Sequence, residues 1–246
     1  MLSRLRIPEA AIRRLPVYLR VLQDLAEDGV AVVSSSELAQ RAGFTPEQIR
    51  KDLAYFGAFG TRGVGYDPAV LGRKLKRILG LTGDVRVALV GAGNLGTALA
   101  RHNLNRHKEV RISAIFDQDW DKVGKSIGGV EIQPVEDMEK EIRAQGIKMA
   151  IIAVPPGEAQ RVADHLTAAG VEAILNFSPA KIQAKAGTYI QNIDLMTELQ
   201  ALVYFTTPGE GAAEAAEITG AADVVDAADV ADAADGDPEE EAARPS

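Results

Sequence analysis

The sequence contains no cysteine in its 246 residues. This absence excludes disulfides, thiolate nucleophiles, thiol redox switches and cysteine-ligated zinc or iron–sulfur sites. There is also no run of about 18 apolar residues that could span a bilayer, and no basic N-terminal segment followed by an apolar one. We therefore expect a cytoplasmic protein without a metal. If it responds to redox state, it does so through a bound ligand.

Positive charge is scarce at one end of the chain. Residues 206–246 hold one Lys or Arg against 12 Asp and Glu, whereas residues 1–80 hold 13 against 8. The formal net charge of −8 is therefore concentrated in the C-terminal segment. An acidic total does not argue against nucleic-acid binding when the N-terminal segment is basic.

The acidic segment 206–246 is rich in alanine and has no aromatic residue. Its aspartates recur every third residue, at Asp223, Asp226, Asp229, Asp232 and Asp235. High net charge with few large apolar side chains predicts a disordered tail. Such a tail could mimic a phosphate backbone and compete for the basic N-terminal face. The alternative is a solubilising extension without a site.

A strand, a glycine-rich turn, a helix and a second strand follow one another between Val85 and Asp117. The turn reads Gly91-Ala92-Gly93-Asn94-Leu95-Gly96, the G-x-G-x-x-G pattern of a dinucleotide-binding loop. Asp117 closes the second strand, where a carboxylate can bind ribose hydroxyls and repel a 2′-phosphate. We expect a Rossmann domain that prefers NADH and NAD⁺ to their phosphorylated forms.

Alternating strands and helices continue beyond Asp117, which predicts a doubly wound parallel sheet with ligand at the carboxyl ends of its strands. The predicted strands are 149–154, 173–177 and 189–193, with a helix over 158–169. Residues at their carboxyl ends are candidates for the nicotinamide side of the site. These are Val154, Pro155, Asn176 and Phe177.

Three helices are predicted before residue 57, and the second and third form a helix-turn-helix. The first begins near Pro8 and ends near Gly29, with Pro16 either kinking it or marking its true first turn. The second, 37–41, is capped by Ser35 or Ser36, and the third runs from Pro46 to Phe56. This architecture is typical of nucleic-acid binding.

The third helix has the side chains of a recognition helix. Arg50 and Lys51 suit guanine or phosphate, Gln48 suits adenine, and Glu47 can pair with Lys51 at i,i+4. The glycine-rich hairpin 57–66, with Arg62 at its tip, suits a wing in a minor groove. The predicted DNA-binding residues are Ser36, Thr45, Gln48, Arg50, Lys51, Tyr55, Arg62 and Gly63. The alternative is a solvated helix face with a flexible hairpin.

Further basic residues lie on a predicted linking helix, 68–79. Arg73, Lys74, Lys76 and Arg77 would add phosphate contacts without sequence specificity. A last apolar helix, 195–205, either closes its own core or docks onto a partner subunit. The predicted domains are a winged-helix DNA-binding domain (1–80), a Rossmann NAD(H)-binding domain (81–194), a C-terminal dimerisation helix (195–205) and the acidic tail (206–246).

Several longer motifs occur together in one order over residues 6–205. They are Ile7-Pro8-Glu9-Ala10, Arg14-Leu15-Pro16, Arg50-Lys51-Asp52-Leu53-Ala54-Tyr55-Phe56-Gly57, Gly63-Val64-Gly65-Tyr66, the glycine motif, Ile174-Leu175-Asn176-Phe177 and Ile193-Asp194-Leu195. With these motifs the chain resembles the Rex family of bacterial redox-sensing transcriptional repressors. The resemblance implies a homodimer on a palindromic operator, a C-terminal helix swapped into the partner, and release from DNA when NADH binds.

The resemblance also implies a switch between the nicotinamide and the first helix, formed by a Tyr, an Asp and an Arg. The matching positions are His102, Asp194 and Arg20. His102 departs from the family pattern, and a histidine there introduces pH dependence near neutrality. The resemblance thus places His102 and Asp194 at the cofactor site and all three residues in the interdomain switch.

The main alternative function is an NAD-dependent oxidoreductase with an accessory N-terminal module. Such an enzyme needs a proton donor near the nicotinamide and a substrate domain. Only one short helix and the tail follow the Rossmann unit, so we expect a protein that is not an enzyme. A third alternative, a CoA-binding domain of related fold, leaves the wing unexplained.

Overall fold

The structure is a computed structural model that describes residues 7–57, 59–61, 63–103, 109–183 and 187–206, without the side chains of residues 102 and 103. The predicted disordered tail lies outside the described residues from residue 207 onward, as does Arg62 at the tip of the wing. The helices are α1 (Glu9–Glu27), α2 (Ser35–Ala42), α3 (Pro46–Ala54), α4 (Pro68–Ile78), α5 (Asn94–Asn103), α6 (Met138–Gln145), α7 (Pro156–Ala169) and α8 (Leu195–Val203). The strands are β1 (Val85–Val90), β2 (Val110–Asp117), β3 (Ser126–Ile127), β4 (Val130–Pro134), β5 (Met149–Ile152), β6 (Ala173–Asn176) and β7 (Tyr189–Asn192).

The four helices α1 to α4 enclose the N-terminal hydrophobic core. Leu15, Leu22 and Leu25 share one side of α1 because they recur at helical spacing, and all three are fully buried. Pro16 lies inside an uninterrupted α1. It and Ile12, four residues earlier, are exposed, so water can satisfy the backbone carbonyl that a proline leaves unpaired.

Side-chain caps set the beginnings of the next two helices. The Ser34 hydroxyl accepts a hydrogen bond from the Glu37 N–H at 3.0 Å, so Ser34 caps α2 and the predicted caps, Ser35 and Ser36, lie inside it. Thr45 caps α3 by accepting from the Gln48 N–H at 3.2 Å. The run Ser34-Ser35-Ser36 offers several equivalent caps, and the point at which the chain turns into α2 decides which serine caps the helix.

After α4 the chain forms a seven-stranded sheet in the order β3-β4-β2-β1-β5-β6-β7. All neighbouring strands are parallel except β3 and β4, which form an antiparallel hairpin at one edge. The connections run from β1 outward to β2 and then return to β5 on the other side of β1. This reversal opens a crevice at the carboxyl ends of β1 and β5, where doubly wound folds bind ligands.

Two apolar layers cover the sheet. Ala88 and Val90 of β1 face the layer that includes Leu166 of α7, whereas Val87 and Leu89 face the opposite layer. Both sets are almost fully buried because alternate residues of a strand point to opposite faces. The predicted doubly wound sheet is confirmed. Helix α6 and the β3–β4 hairpin are additions that the sequence interpretation did not contain.

Residues from Asp194 onward form a second unit, which is described by itself. Helix α8 is capped by the Asp194 carboxylate, which accepts hydrogen bonds from the Met196 N–H at 3.0 Å and the Thr197 hydroxyl at 2.9 Å. Its large apolar side chains are exposed, at Leu195, Met196, Leu199, Leu202 and Val203. Among the described residues, no helix is both long and apolar enough to cross a membrane.

Candidate nucleotide site and DNA-binding face

The three glycines of the G-x-G-x-x-G motif have different surroundings. A Cβ on Gly96 would lie 1.9 Å from the Gly91 carbonyl oxygen, and one on Gly91 would lie 2.4 Å from the Ala153 oxygen. A Cβ on Gly93 would meet no atom within 4 Å. Gly91 and Gly96 are therefore required by the packing of the protein. Gly93 instead has open space beside it, just before the N-terminus of α5.

Asp117 is buried at the end of β2 and bonds back to the glycine loop. Its carboxylate accepts hydrogen bonds from the Ala92 N–H at 2.7 Å and the Asp119 N–H at 2.9 Å, and Lys122 Nζ lies 3.3 Å away. Burial raises the pKa of this carboxyl. The two backbone N–H groups and Lys122 together outweigh burial, so the pKa lies below its usual value and the group is ionised at neutral pH.

A cavity of about 600 Å³ lies at the carboxyl ends of β1 and β5, where the strand order reverses. Predicted site residues that line it are Gly91, Gly93, Asp117, Val154 and Pro155. This volume lies within the range of small-molecule sites in proteins. Asp119 and Lys122 also line this cavity, next to Asp117.

The remaining predicted cofactor residues are placed differently. Asn94 and Leu95 are exposed at the beginning of α5, and Ala92 is buried behind Asp117. Asn176 is fully buried and uses its side chain within the protein, since its amide donates to Asn192 Oδ1 at 2.9 Å and to the Ala180 carbonyl.

Asn176 therefore fixes the loop after β6, and neither it nor the half-buried Phe177 lines the cavity. His102 lies in α5, but its side chain is outside the described residues. The turn chemistry at the end of β6 accounts for Asn176 without a ligand.

Helix α3 presents Arg50 beside a groove of about 620 Å³ that separates it from the hairpin 57–66. The Arg50 guanidinium donates to the Ser35 hydroxyl at 2.8 Å and to Glu47 at 2.7 Å. The expected Glu47–Lys51 pair is therefore wrong, because Glu47 pairs at i,i+3 with Arg50 instead. Lys51 is exposed, and Gln48 is half-buried on the same helix.

The hairpin has the geometry of a wing. Its base is a pair of hydrogen bonds at 2.8 Å between Val33 and Tyr66, and its tip is closed by bonds between Thr61 and Gly65. A Cβ on Gly65 would lie 2.4 Å from the Val33 oxygen, so glycine is required there for the close approach of two backbones. Gly63, at the tip, has open space around it.

Three other predicted DNA-binding residues, Ser36, Thr45 and Tyr55, do not line this groove. Ser36 is exposed on α2, Thr45 caps α3, and Tyr55 follows α3 at its C-terminal end. Ser34 and Ser35 line the groove and were not predicted. The serine run was the available signal for them, but it did not distinguish capping from groove-lining positions.

A buried polar cluster joins the recognition helix to α1 and was also missed. Asp52 is 2% exposed and accepts two hydrogen bonds from Arg14, at 2.7 and 2.8 Å, and one from the Tyr18 hydroxyl at 2.8 Å. Burial raises the pKa of the Asp52 carboxyl, but these hydrogen bonds and the Arg14 charge together hold it below its usual value. The cluster fixes the orientation of α3 against α1.

Helix α4 connects the N-terminal helices to the sheet. Lys74 lies over the Phe59 ring of the wing, 5.1 Å from its centroid, and Lys76 pairs with Glu109 beside β2. Arg73 and Arg77 are exposed. Of the four predicted phosphate-contacting residues, Lys76 thus forms an ion pair with Glu109 beside the sheet, and the other three are exposed on the surface.

A groove of about 330 Å³ lies between α1 and the sheet and includes Arg20, Leu19, Leu99, Ile112 and Ile151. Leu99 lies one turn before His102 on α5. The structure therefore brings Arg20 near the helix that carries His102. It describes Asp194 only as the cap of α8, in the second unit, so the predicted three-residue switch is not assembled among the described residues.

Comparison with known proteins supports both domains. Residues 6–54 match a family described as "Putative DNA-binding protein N-terminus", and residues 82–180 match "CoA binding domain". The redox-sensing transcriptional repressor Rex of Natranaerobius thermophilus is 47% identical over 80% of this chain and 90% of its own length. The corresponding protein of Brevibacillus brevis is 46% identical over 82% of this chain and 98% of its own.

A solved structure has the same fold. RSP in complex with β-NAD⁺ and operator DNA superposes with a TM-score of 0.78 at 34% identity, covering 88% of this chain and 99% of that one. RSP was also solved with β-NADH, with a TM-score of 0.72 at 35% identity over 82% of this chain and 94% of that one.

A winged helix joined to a Rossmann domain in one chain defines a nucleotide-responsive DNA-binding protein. The sequence identity to curated relatives over most of the chain identifies the particular family. This chain belongs to the Rex family of redox-sensing transcriptional repressors.

Proposed function

We propose that the chain represses transcription by binding a palindromic operator through α3 and the wing, and that NADH binding to the Rossmann domain releases it. The observation that carries the proposal is the occurrence, in one chain, of an open glycine loop beside Asp117 and a winged helix with Arg50 at its groove. A relative with this fold was solved with operator DNA and NAD⁺, and separately with NADH.

On the DNA side, Arg50 and Lys51 contact bases or phosphates in the major groove, and the wing enters the adjacent minor groove. The Ser35 hydroxyl holds Arg50 in a fixed orientation, at 2.8 Å, which reduces the side-chain entropy lost on binding. Arg73, Lys74 and Arg77 add contacts to phosphates, so affinity falls as salt rises.

On the ligand side, the pyrophosphate lies over Gly93 and the first turn of α5, and Asp117 binds the adenosine ribose. A carboxylate offers about four acceptor positions, and Ala92, Asp119 and Lys122 occupy three of them. One ribose hydroxyl therefore bonds to Asp117 directly, and the other bonds to it only when Lys122 moves. NADH and NAD⁺ differ by the charge of the nicotinamide ring, so only contacts that differ between them shift the protein between conformations.

We propose a homodimer in which α8 of each protomer docks between the two domains of its partner. The apolar side chains of α8 are more than half exposed within one chain, from 55% at Leu199 to 63% at Leu195. The groove between α1 and the sheet offers the apolar side chains of Leu19, Ile112 and Ile151. Burying one large apolar side chain contributes about 1.5–3 kcal/mol, so several such residues stabilise a dimer.

The switch is proposed to involve Arg20, His102 and Asp194. Arg20 lies in the groove that a partner's α8 would fill, and Asp194 begins that helix. A histidine at position 102, where the family pattern has tyrosine, would make release by NADH dependent on pH, because histidine can change its charge near neutrality. A His102→Tyr variant, measured at pH 6 and 8, tests this dependence.

The named relatives are repressors, which supports a role without catalysis. In this regulatory role, NADH and NAD⁺ act as regulatory ligands. The chain works in the cytoplasm, where both operator DNA and NADH are present. A sensitive test is NADH oxidation with mixed small carbonyl compounds. Measurable turnover would favour the oxidoreductase alternative.

The central experiment is fluorescence anisotropy with a palindromic duplex selected in vitro from a random pool. We expect binding in NAD⁺ and at least about tenfold weaker binding in NADH, equivalent to a coupling free energy of about 1.4 kcal/mol. Equal affinity in the two nucleotides would remove redox sensing and leave DNA binding intact.

A further inference from the structure

The acidic tail, residues 207–246, differs from the rest of the chain in charge and in its relation to the family. It carries 12 acidic residues and one arginine, a net charge of −11. The Brevibacillus relative matches over 202 residues that make up 98% of it, so that protein is about 40 residues shorter than this chain. The family motifs of this chain end before residue 206. The Streptomyces griseus relative matches over 215 residues that make up 85% of it, so it is about as long as this chain. Relatives therefore differ in length, and the motifs that carry the repressor function do not include the tail.

Four cations form what we call the basic surface: Lys51, Arg73, Lys74 and Arg77. All four are exposed, and within the described ranges no carboxylate lies within 4.0 Å of their side-chain nitrogens. Arg50 and Phe59 line one groove, and Lys74 lies over Phe59. Lys74 therefore lies beside the groove that Arg50 lines, and Arg73 and Arg77 lie on the same helix as Lys74.

Among the described residues, many other Lys and Arg side chains form ion pairs with a nearby carboxylate, unlike the four cations of the basic surface. In the sheet domain, Arg111 and Arg86 pair with Asp84, and Lys148 pairs with Glu172. The N-terminal segment has a net charge of +5 over residues 1–80. A polyanion is therefore attracted to the basic surface.

We propose that residues 207–246 of the dimer dock on the basic surface and compete with DNA. This proposal rests on the proposed repressor function, because the basic surface is the one assigned to DNA. The tail presents one carboxylate about every 10 Å when extended, since its aspartates are three residues apart. DNA carries one charge per about 1.7 Å, so the operator displaces the tail.

The tail is long enough to reach the basic surface from either protomer. A disordered chain of 40 residues has a root-mean-square span of about 35 Å, whereas a fold of about 200 residues has a radius of gyration near 16 Å. Tethering at this length gives an effective concentration of about 1 mM. A tail with an intrinsic dissociation constant of about 0.2 mM would therefore occupy the basic surface most of the time and weaken DNA binding about sixfold.

The competition has a specific salt dependence. Because the docked tail already neutralises part of the basic surface, operator binding releases fewer counterions from the full chain than from a chain with a neutral tail. The slope of log Kd against log salt is then shallower for the wild type. Tail attraction and its effect on DNA binding both fade as the Debye length approaches about 3 Å near 1 M salt.

The test uses the full-length protein and a variant in which the 12 tail acids become Asn or Gln. With the selected operator in NAD⁺ at about 0.05 M salt, we expect the neutral-tail variant to bind about three- to tenfold more tightly, with a steeper salt slope. A control with the same tail residues in shuffled order should bind like the wild type, because the attraction depends on charge and not on sequence. NADH affinity should be unchanged in all three.

General repulsion between the tail and DNA would also tighten binding in the neutral variant, so contact must be shown without DNA. Carbodiimide treatment of the wild type should link tail carboxylates to Lys51 or Lys74 as amides, and operator DNA should suppress the links. In an Arg73→Gln, Arg77→Gln background, neutralising the tail should improve binding less than in the wild type.

Equal operator affinity of the wild type and the neutral-tail variant, or an absence of such cross-links, would overturn the tail proposal. Failure of every variant to bind the operator would instead overturn the proposed repressor function.

Discussion

The Arg14 guanidinium donates two hydrogen bonds to the Asp52 carboxylate, at 2.7 and 2.8 Å. Asp52 lies on the buried side of α3, two residues after Arg50, and its side chain is 3% exposed. The pair therefore fixes the rotation of α3 about its axis. Arg50 and Lys51 depend on this rotation to point outward together.

Loss of the Tyr18 hydroxyl should lower stability without removing the charge pair. Tyr18→Phe deletes one hydrogen bond to a buried carboxylate, which costs about 2 kcal/mol. Arg14→Met leaves that carboxylate without its cation and should cost about 3 kcal/mol or more. Urea unfolding measures both. An Arg41→Met control, at an exposed pair with Glu37, should change little. Equal values for all three variants would contradict the role of Asp52.

The same cluster predicts a pH dependence. Because the folded-state pKa of Asp52 is lowered, its stabilising contribution is complete above the unfolded value of about 3.9 and is lost as pH falls through the folded value. The difference in unfolding free energy between the wild type and Asp52→Asn should therefore be constant near neutrality and shrink below about pH 4. A difference that grows as pH falls would reverse the assigned sign.

Two glycine substitutions in one motif should have opposite consequences. Gly96→Ala places a Cβ 1.9 Å from a carbonyl oxygen and should destabilise the fold, whereas Gly93→Ala meets nothing within 4 Å and should fold normally. Gly93→Ala should nevertheless weaken NADH binding at least tenfold, about 1.4 kcal/mol, because the methyl group occupies the pyrophosphate position. Thermal unfolding and NADH titration separate the effects. Unchanged NADH affinity in Gly93→Ala would place the dinucleotide elsewhere.

Asp117 and Lys122 should change cofactor preference in opposite directions. Asp117→Ala removes the carboxylate that repels a 2′-phosphate, so the affinity for NADPH relative to NADH should rise about tenfold or more. Lys122→Met removes the cation 3.3 Å from that carboxylate, so relative NADPH affinity should fall. Quenching of Trp120, three residues beyond Asp117 and 69% exposed, offers one readout. A rise in both variants would show that charge is not the determinant.

Arg50 should contribute to operator binding through its position as well as its charge. Arg50→Ala is expected to weaken binding by about 1–3 kcal/mol, and Ser35→Ala by less, because the latter only frees the guanidinium from its 2.8 Å hydrogen bond. Lys51→Ala should weaken binding similarly to Arg50→Ala. Arg41→Ala removes an equal charge from α2 and serves as the control. NADH affinity should be unaffected throughout. An Arg41 effect equal to that of Arg50 would indicate nonspecific electrostatics.

A charge on the apolar face of α8 should separate the protomers. Leu199 is 55% exposed within one chain, so Leu199→Glu should leave the monomer folded while opposing dimerisation. Light scattering should then report a monomer with much weaker affinity for a palindrome. Gln200→Glu, with the same charge on the neighbouring position, should remain dimeric. A dimeric Leu199→Glu variant would exclude α8 from the interface.

Much of the fold was predictable from local patterns. Alternating apolar runs separated by glycines indicated the parallel sheet, and Thr45 with Pro46 correctly marked the beginning of α3. Helix α6 was missed because half of its eight residues, Met138 to Gln145, are charged and it buries only Met138 and Ile142. The β3–β4 hairpin was missed because β3 has two residues, too few for a periodic signal.

Part of the candidate site could not be predicted from local sequence patterns. Asn176 had the position of a ligand residue at a strand end, yet its amide bonds to Asn192, which lies 16 residues further along the chain. Glu47 had a possible partner at i+4, Lys51, but it pairs with Arg50, whose guanidinium also donates to Ser35 of α2. Both outcomes depend on residues that only folding brings together.

The sequence by itself determined the classes of structure, because helical spacing, strand alternation and glycine spacing follow from local backbone geometry. It also determined the separation of charge between the N-terminal segment and the tail. Tertiary structure decided which glycine is open, which serine caps α2 and which carboxylate holds α3. Those outcomes depend on distances between segments far apart in the chain. Arg14 and Asp52 are 38 positions apart, and no local pattern predicts two hydrogen bonds between them.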